Sequence, residues 1–148
     1  MSETSVSRAD RRFVTLAERI VEPTAFTCNE WMSRPDVVPC RELLLVRATM
    51  EPGRSHPFHC HPTREEIIYV ISGRAEQWCG TEHRILGPGE MVLIPKGEVH
   101  GTYNPHSEPL VFLAILSPCE APGPDVVDRA GEVPWRDLRE RNHLPPCE

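Results

Sequence analysis

The chain has 148 residues, 39% hydrophobic and 26% charged, with 16 Lys and Arg against 22 Asp and Glu for a formal net charge of -6. That length suits one domain with one closed core. The acidic balance argues against nucleic acid as a partner, because phosphate binding needs a basic surface. No uncharged apolar run approaches the ~20 residues of a membrane span. The 16 prolines exclude an architecture of long regular helices.

Residues 1–41 read as an N-terminal arm. Residues 1–12 are polar and are expected to fray. Their first six, Met1 to Val6, contain no apolar core of a secretory signal. With six cysteines and no CxxC pair, the expectation is free thiols in a reducing cytoplasm. Residues 13–20 fit a short strand or a helical turn. Residues 21–41 hold three prolines and no clean period, which predicts an irregular wrap.

Residues 42–117 read differently. Leu43 to Met50 alternates, with Leu44, Val46, Ala48 and Met50 on one face and Arg47 and Thr49 on the other, so it is a half-buried strand with Arg47 outward. Glu51-Pro52-Gly53 turns the chain. Further strands are predicted at Ile67–Ser72, Ala75–Cys79, Met91–Ile94, His100–Asn104 and Leu110–Leu116, with Gly73, Gly80, Gly87-Pro88-Gly89 and Pro95 as punctuation. Short strands at this regular spacing predict an all-β sandwich or barrel. Residues 118–148 form a proline-rich tail, with one short helix near Trp135–Arg141 and Pro134 in its first turn.

The chemistry lies inside the strand region. His59 and His61 are two apart on an extended segment, so their imidazoles share a face while Cys60 points the other way. Glu66 shares parity with Ile68 and Val70, and His100 follows the Pro95-Lys96-Gly97 turn. Imidazoles and a carboxylate suit a divalent first-row metal, with iron favoured and manganese, nickel, cobalt and zinc also compatible. One carboxylate on a divalent ion leaves about one positive charge, which attracts an anionic or enolate ligand. An octahedral ion would keep two positions for water, substrate or dioxygen.

His56 has the opposite parity and is expected to point away unless a bulge intervenes. On the strand at Ala75–Cys79, charged Arg74 and Glu76 mark the outer face, which puts Trp78 outward as a patch for a second copy. Gln77 then points inward, where its amide must bond backbone or water, or else contact substrate. His83, His106 and His143 are expected in solvent.

Two runs of residues carry a family resemblance. Gly53, five residues, His59-Cys60-His61, four residues, Glu66, six residues and Gly73 form the first; Gly89, five residues, Pro95-Lys96-Gly97, two residues, His100, three residues and Asn104 form the second. They are similar to the two motifs of the cupin superfamily, complete at every defined position, and the resemblance covers about residues 43–117. It implies an antiparallel jelly-roll β-barrel with His59, His61, Glu66 and His100 as metal ligands. It also implies a homodimer joined through sheet edges and a small-molecule substrate.

The superfamily includes dioxygenases, isomerases, decarboxylases, lyases and non-catalytic binding modules, and fold does not choose among them. A non-haem dioxygenase is the favoured expectation, with proton chemistry assigned to Glu66 or to water held by Gln77. Thiol-oxidising members usually lack the glutamate that Glu66 supplies here. Lyase members with a tyrosine base place it two residues after the glutamate, where this chain has Ile68.

Overall fold

The computed structural model describes residues 7–148. One antiparallel sheet has the strand order β1 (Ile20–Pro23), β2 (Cys28–Ser33), β3 (Leu44–Met50), β10 (Leu110–Ser117), β5 (Glu65–Ser72), β8 (Met91–Ile94). The other has the order β11 (Val127–Asp128), β4 (Ser55–Cys60), β9 (His100–Tyr103), β6 (Ala75–Cys79), β7 (Glu82–Leu86). The helix α1 (Trp135–Arg141) follows. This is the expected all-β jelly roll, except that the two sheets stay separate and do not close into one hydrogen-bonded barrel. No helix among the described residues is long and apolar enough to cross a membrane.

From β3 onward the chain crosses repeatedly between the sheets. That traffic puts β4 and β9 side by side in one sheet and β5 in the sheet opposite. The alternation read in residues 43–50 is realised: Leu44, Val46, Ala48 and Met50 are all buried, and Arg47 is exposed. They pack with Ile68, Val70, Leu110, Phe112, Ala114 and Leu116 as the main core. Burying side chains of this kind contributes roughly 1.5–3 kcal/mol each. Gly73 has φ +78°, and a Cβ there would lie 2.2 Å from the Pro109 carbonyl oxygen. Only glycine fits that turn.

Three expectations need correction. Residues 21–41 are not an irregular wrap, because β1 and β2 form a hairpin that adds two strands to the larger sheet. The prolines obscured this. Pro23 ends β1, while Pro35 and Pro39 lie beyond β2, so none interrupts the ladder from Cys28↔Thr49 to Trp31↔Val46. Glu30 reinforces it by pairing with Arg19 at 2.7 Å and Arg47 at 2.9 Å. Two further strands that went unread, β7 and β11, pair with β6 and β4. Of the arm's frayed start, residues 1–6 lie outside the described residues, and Arg8–Asp10 form a short 3-10 turn.

The third correction concerns Trp78, which is fully buried rather than a surface patch. Its parity is as read, but the outer face of the smaller sheet is covered by the C-terminal tail. Phe58, Cys60, Trp78, Val99 and Tyr103 form a second core there, closed by Trp135, Leu138 and Leu144. Glu76, on the same face, is also buried, and Arg139 of α1 binds it through two hydrogen bonds of 2.7 and 2.8 Å. His83 stacks on Trp78, with ring centroids 4.4 Å apart, rather than standing free in solvent. The large apolar side chains that do face solvent include Tyr69, Ile71, Met91 and Leu93.

Candidate metal centre

His59 and His61 leave β4 on the inner side, and His100 opens β9 directly across from His59 in the ladder. One ligating atom from each of the three rings lies within 4.8 Å of the others, and all three residues are buried. Glu66 comes from the opposite sheet. Its Oε1 lies 2.8 Å from Nε2 of His100 and 3.5 Å from Nε2 of His61. The three histidines singled out in the sequence therefore cluster, and the Glu66 carboxylate stands against two of them.

The structure itself tests whether a cation fits. Glu66 Oε1 and His100 Nε2 are buried and, among the described residues, neither has an aligned hydrogen-bond partner, although they sit 2.8 Å apart. Buried polar atoms are normally paired. Neighbouring ligand atoms on an octahedral ion, each about 2.1 Å from it, stand about 3 Å apart. The spacing and the missing hydrogen bond both fit two atoms aimed at a shared cation.

The far sides of the rings agree. Nδ1 of His59 is 2.6 Å from the Pro57 carbonyl, that of His61 2.9 Å from the Asp125 carbonyl, and that of His100 3.0 Å from the Glu98 carbonyl. Each contact favours the proton on Nδ1, so Nε2 is left as the free lone pair.

Electrostatics separate the groups. Burial lowers His59 to about 2, with His56 and His100 adding to the effect. Burial also lowers His56, to about 4. Burial works the same way on His61, but the neighbouring Asp125 and Glu66 carboxylates outweigh it and raise that ring to about 10, so a cation would have to displace a proton from Nε2. Burial opposes ionisation of Glu66, yet the imidazoles of His100 and His61 hold its carboxyl below the usual carboxylate range. A carboxylate kept ionised beside neutral or neutralisable imidazoles is a ligand set ready for a divalent cation.

The three histidines form one wall of a cavity of about 560 Å³ between the two sheets, and Glu66 faces them from the other. His56 belongs to this cavity, contrary to its parity. A register shift in β4 between His56 and His59 turns it inward, and its ring stacks on His59 with centroids 3.7 Å apart. Gln77 does not line this cavity. Its Oε1 accepts from Thr102 Oγ1 at 2.6 Å and its Nε2 donates to the Trp78 carbonyl at 3.0 Å, so its amide is satisfied within the sheet. Its link to the ligand side runs through Thr102.

Two residues of the site carried no sequence signal. Arg64 is ion-paired with the Asp125 carboxylate and donates to the Cys119 carbonyl at 2.9 Å. The pair holds the tail segment that presents the Asp125 carbonyl to His61. Asp125 lies 64 positions from His61 in a proline-rich stretch, so no local pattern joins them. Arg64→Ala should weaken divalent-metal affinity by about 10- to 100-fold, the usual effect of losing a partner behind a ligand. Competition against a chromogenic chelator measures this, and an unaltered affinity would remove Arg64 from the site.

Residues 46–116 match the family model for the cupin domain. Germin-like protein 3-8 of Oryza sativa subsp. japonica is 35% identical over 63 residues, 39% of this chain and 28% of that protein. Glucose-6-phosphate isomerase of Thermococcus kodakarensis is 40% identical over 63 residues, 39% of this chain and 33% of that protein. The chain thus spans a third or less of the length of these curated relatives. Among solved structures, the polyketide cyclase RemF from Streptomyces resistomycificus superposes with a TM-score of 0.66 at 25% identity, covering 91% of this chain and 94% of that one. KdgF from Halomonas sp. superposes with a TM-score of 0.63 at 20% identity, covering 73% of this chain and 94% of that one, which speaks for the fold alone. With both motifs intact, their histidines clustered between two jelly-roll sheets, and the family model matched across the central strands, the chain belongs to the cupin superfamily.

Proposed function

We propose that the protein is a mononuclear divalent-metal enzyme, with His59, His61, Glu66 and His100 as ligands, that acts on a small anionic or enolisable molecule. The observation that carries this is the convergence of these four groups, two of them bearing unpartnered buried atoms, on the wall of a cavity large enough for a substrate. A bound divalent cation supplies Lewis-acid polarisation of a carbonyl or enolate oxygen.

The chain's own residues supply the rest. Glu66 brings the single negative charge that balances part of the cation's. The carbonyls of Pro57, Glu98 and Asp125 hold the three rings in one tautomer and orientation. His56 lines the cavity, and among the described residues its ring makes no hydrogen bond, so a ring nitrogen is free to take a proton from a bound carbon acid, its basicity raised from the buried value by the negative charge of the substrate itself. Thr102, anchored by Gln77, offers a further polar contact on the same wall. This arrangement favours proton chemistry of the isomerase, lyase, decarboxylase or cyclase kind over the dioxygenase expected from the sequence. The dioxygenase remains the second reading, since four protein ligands leave an octahedral ion two sites.

Metal analysis of anaerobically purified protein, followed by assays with diketone, 2-oxo-acid and catechol probes under argon and air, separates these. The expected result is about one divalent ion per chain, with turnover or solvent-deuterium exchange of a carbon acid that needs the ion and is the same without oxygen. Stoichiometric oxygen uptake would select the dioxygenase, and metal binding with no turnover of any probe would leave a binding module.

A further inference from the structure

The cavity beside the ligands has two unlike walls. The smaller sheet contributes imidazoles and the Thr102 hydroxyl. The larger sheet, apart from Glu66 and from Asn29 and Trp31 on the arm strand β2, contributes Val46, Ala48, Ile68 and Phe112, which offer no side-chain hydrogen bond. A polyhydroxylated ligand laid against that wall would leave hydroxyls unpaired, at about ten-fold in affinity for each.

The arm closes this cavity at one end. The β1–β2 turn is pinned by Thr24, whose Oγ1 donates to the Thr27 carbonyl at 2.8 Å and accepts from the Phe26 N–H at 3.1 Å. At its tip Phe26 stacks on His56, with centroids 4.5 Å apart and planes 16° apart, and His56 stacks on His59 at 3.7 Å and 12°. A row of near-parallel rings therefore runs from the hairpin to a ligand. Trp31 of β2 lines the same cavity, with the Arg34 guanidinium 4.5 Å over its ring. Phe26 is 40% exposed, which leaves ring surface available at the mouth.

We propose that the substrate carries a flat apolar body, an aryl or conjugated system, behind its anionic or enolic head, and that Phe26 and Trp31 of the arm hairpin are the residues that select it. This rests on the reading of the four ligands as a cation site. The head meets the cation side of the cavity, and the body lies against the apolar sheet and the hairpin rings, where offset stacking favours a planar group.

The test uses the full metal-loaded chain and two 1,3-dicarbonyl probes with the same head, acetylacetone and benzoylacetone, in calorimetric titrations. Benzoylacetone should bind about ten-fold tighter than acetylacetone, the scale of one added stacked ring. In Phe26→Ala the preference should fall to within about three-fold, with metal content measured as the control for an intact centre. Acetylacetone binding with no advantage for benzoylacetone would overturn the apolar-body inference alone. An advantage that survives Phe26→Ala would overturn the role of Phe26. Failure of the chain to take up metal would overturn the cation reading beneath both, and loaded protein that binds neither probe would overturn the substrate inference while the cation reading stands.

Discussion

His100→Ala should strip the divalent ion from the purified protein and abolish metal-dependent turnover. His100 is 1% exposed, its ring centroid is 4.2 Å from that of His59, and its Nε2 is the atom nearest the Glu66 carboxylate at 2.8 Å. It is also the one member of the four supplied by β9, so no neighbour on that strand can replace it. Losing a partner behind a ligand costs about 10- to 100-fold in metal affinity, so losing the ligand itself should cost more than about 100-fold. After dialysis the variant should hold little metal by elemental analysis, while its far-ultraviolet circular dichroism keeps the strand signature. A His100→Ala protein that retains a full equivalent of metal would show that the four residues do not share a cation.

The second large effect concerns stability. Arg139→Met should destabilise the fold by about 3–5 kcal/mol, because removing one member of a buried pair leaves the other charge uncompensated. Glu76 is 0% exposed and the Arg139 side chain 13% exposed. The carboxylate also accepts from Trp78 Nε1 at 2.7 Å, and the guanidinium lies 4.3 Å over the Tyr103 ring. Two residues of the second core, Trp78 and Tyr103, thus touch this one ion pair between β6 and α1. Urea titration should show the loss, and the melting temperature should fall on the order of 10 °C. Replacing both residues with apolar ones, as in Glu76→Leu with Arg139→Met, should recover most of the loss, since a buried pair is about as stable as well-packed apolar side chains. A small effect of Arg139→Met alone would mean that the tail is held by its apolar contacts and that the pair adds little.

What could be read from the sequence was what local geometry dictates. On an extended chain, side chains two apart share a face. That alone places His59 with His61, sends Cys60 to the other side and turns Leu44, Val46, Ala48 and Met50 inward, as the structure has them. The strands Ala75–Cys79 and Met91–Ile94 were legible to the residue, because Gly80 and Pro95 close them, and Pro134 marked a short helix near Trp135–Arg141. The four candidate ligands could be picked out because their spacing in two motifs resembles that of a known superfamily.

Tertiary structure alone decided the rest. Parity divides the residues of β6 between two faces but says nothing about what covers each, so Trp78 looked exposed until a tail some 60 residues later was laid over it. His56 was misassigned because a register shift breaks the period on which parity depends. The arm's strands were hidden because their ladders come from pairing, β1 with β2 and β2 with β3, not from a pattern of their own. The Arg64–Asp125 support and the apolar wall opposite the imidazoles arise where segments distant in sequence meet. The sequence by itself determined which groups are available to hold a cation and which way most of them face; the packing of the sheets, arm and tail decided what surrounds them, because burial and long-range pairing belong to the assembled chain and not to any stretch of it.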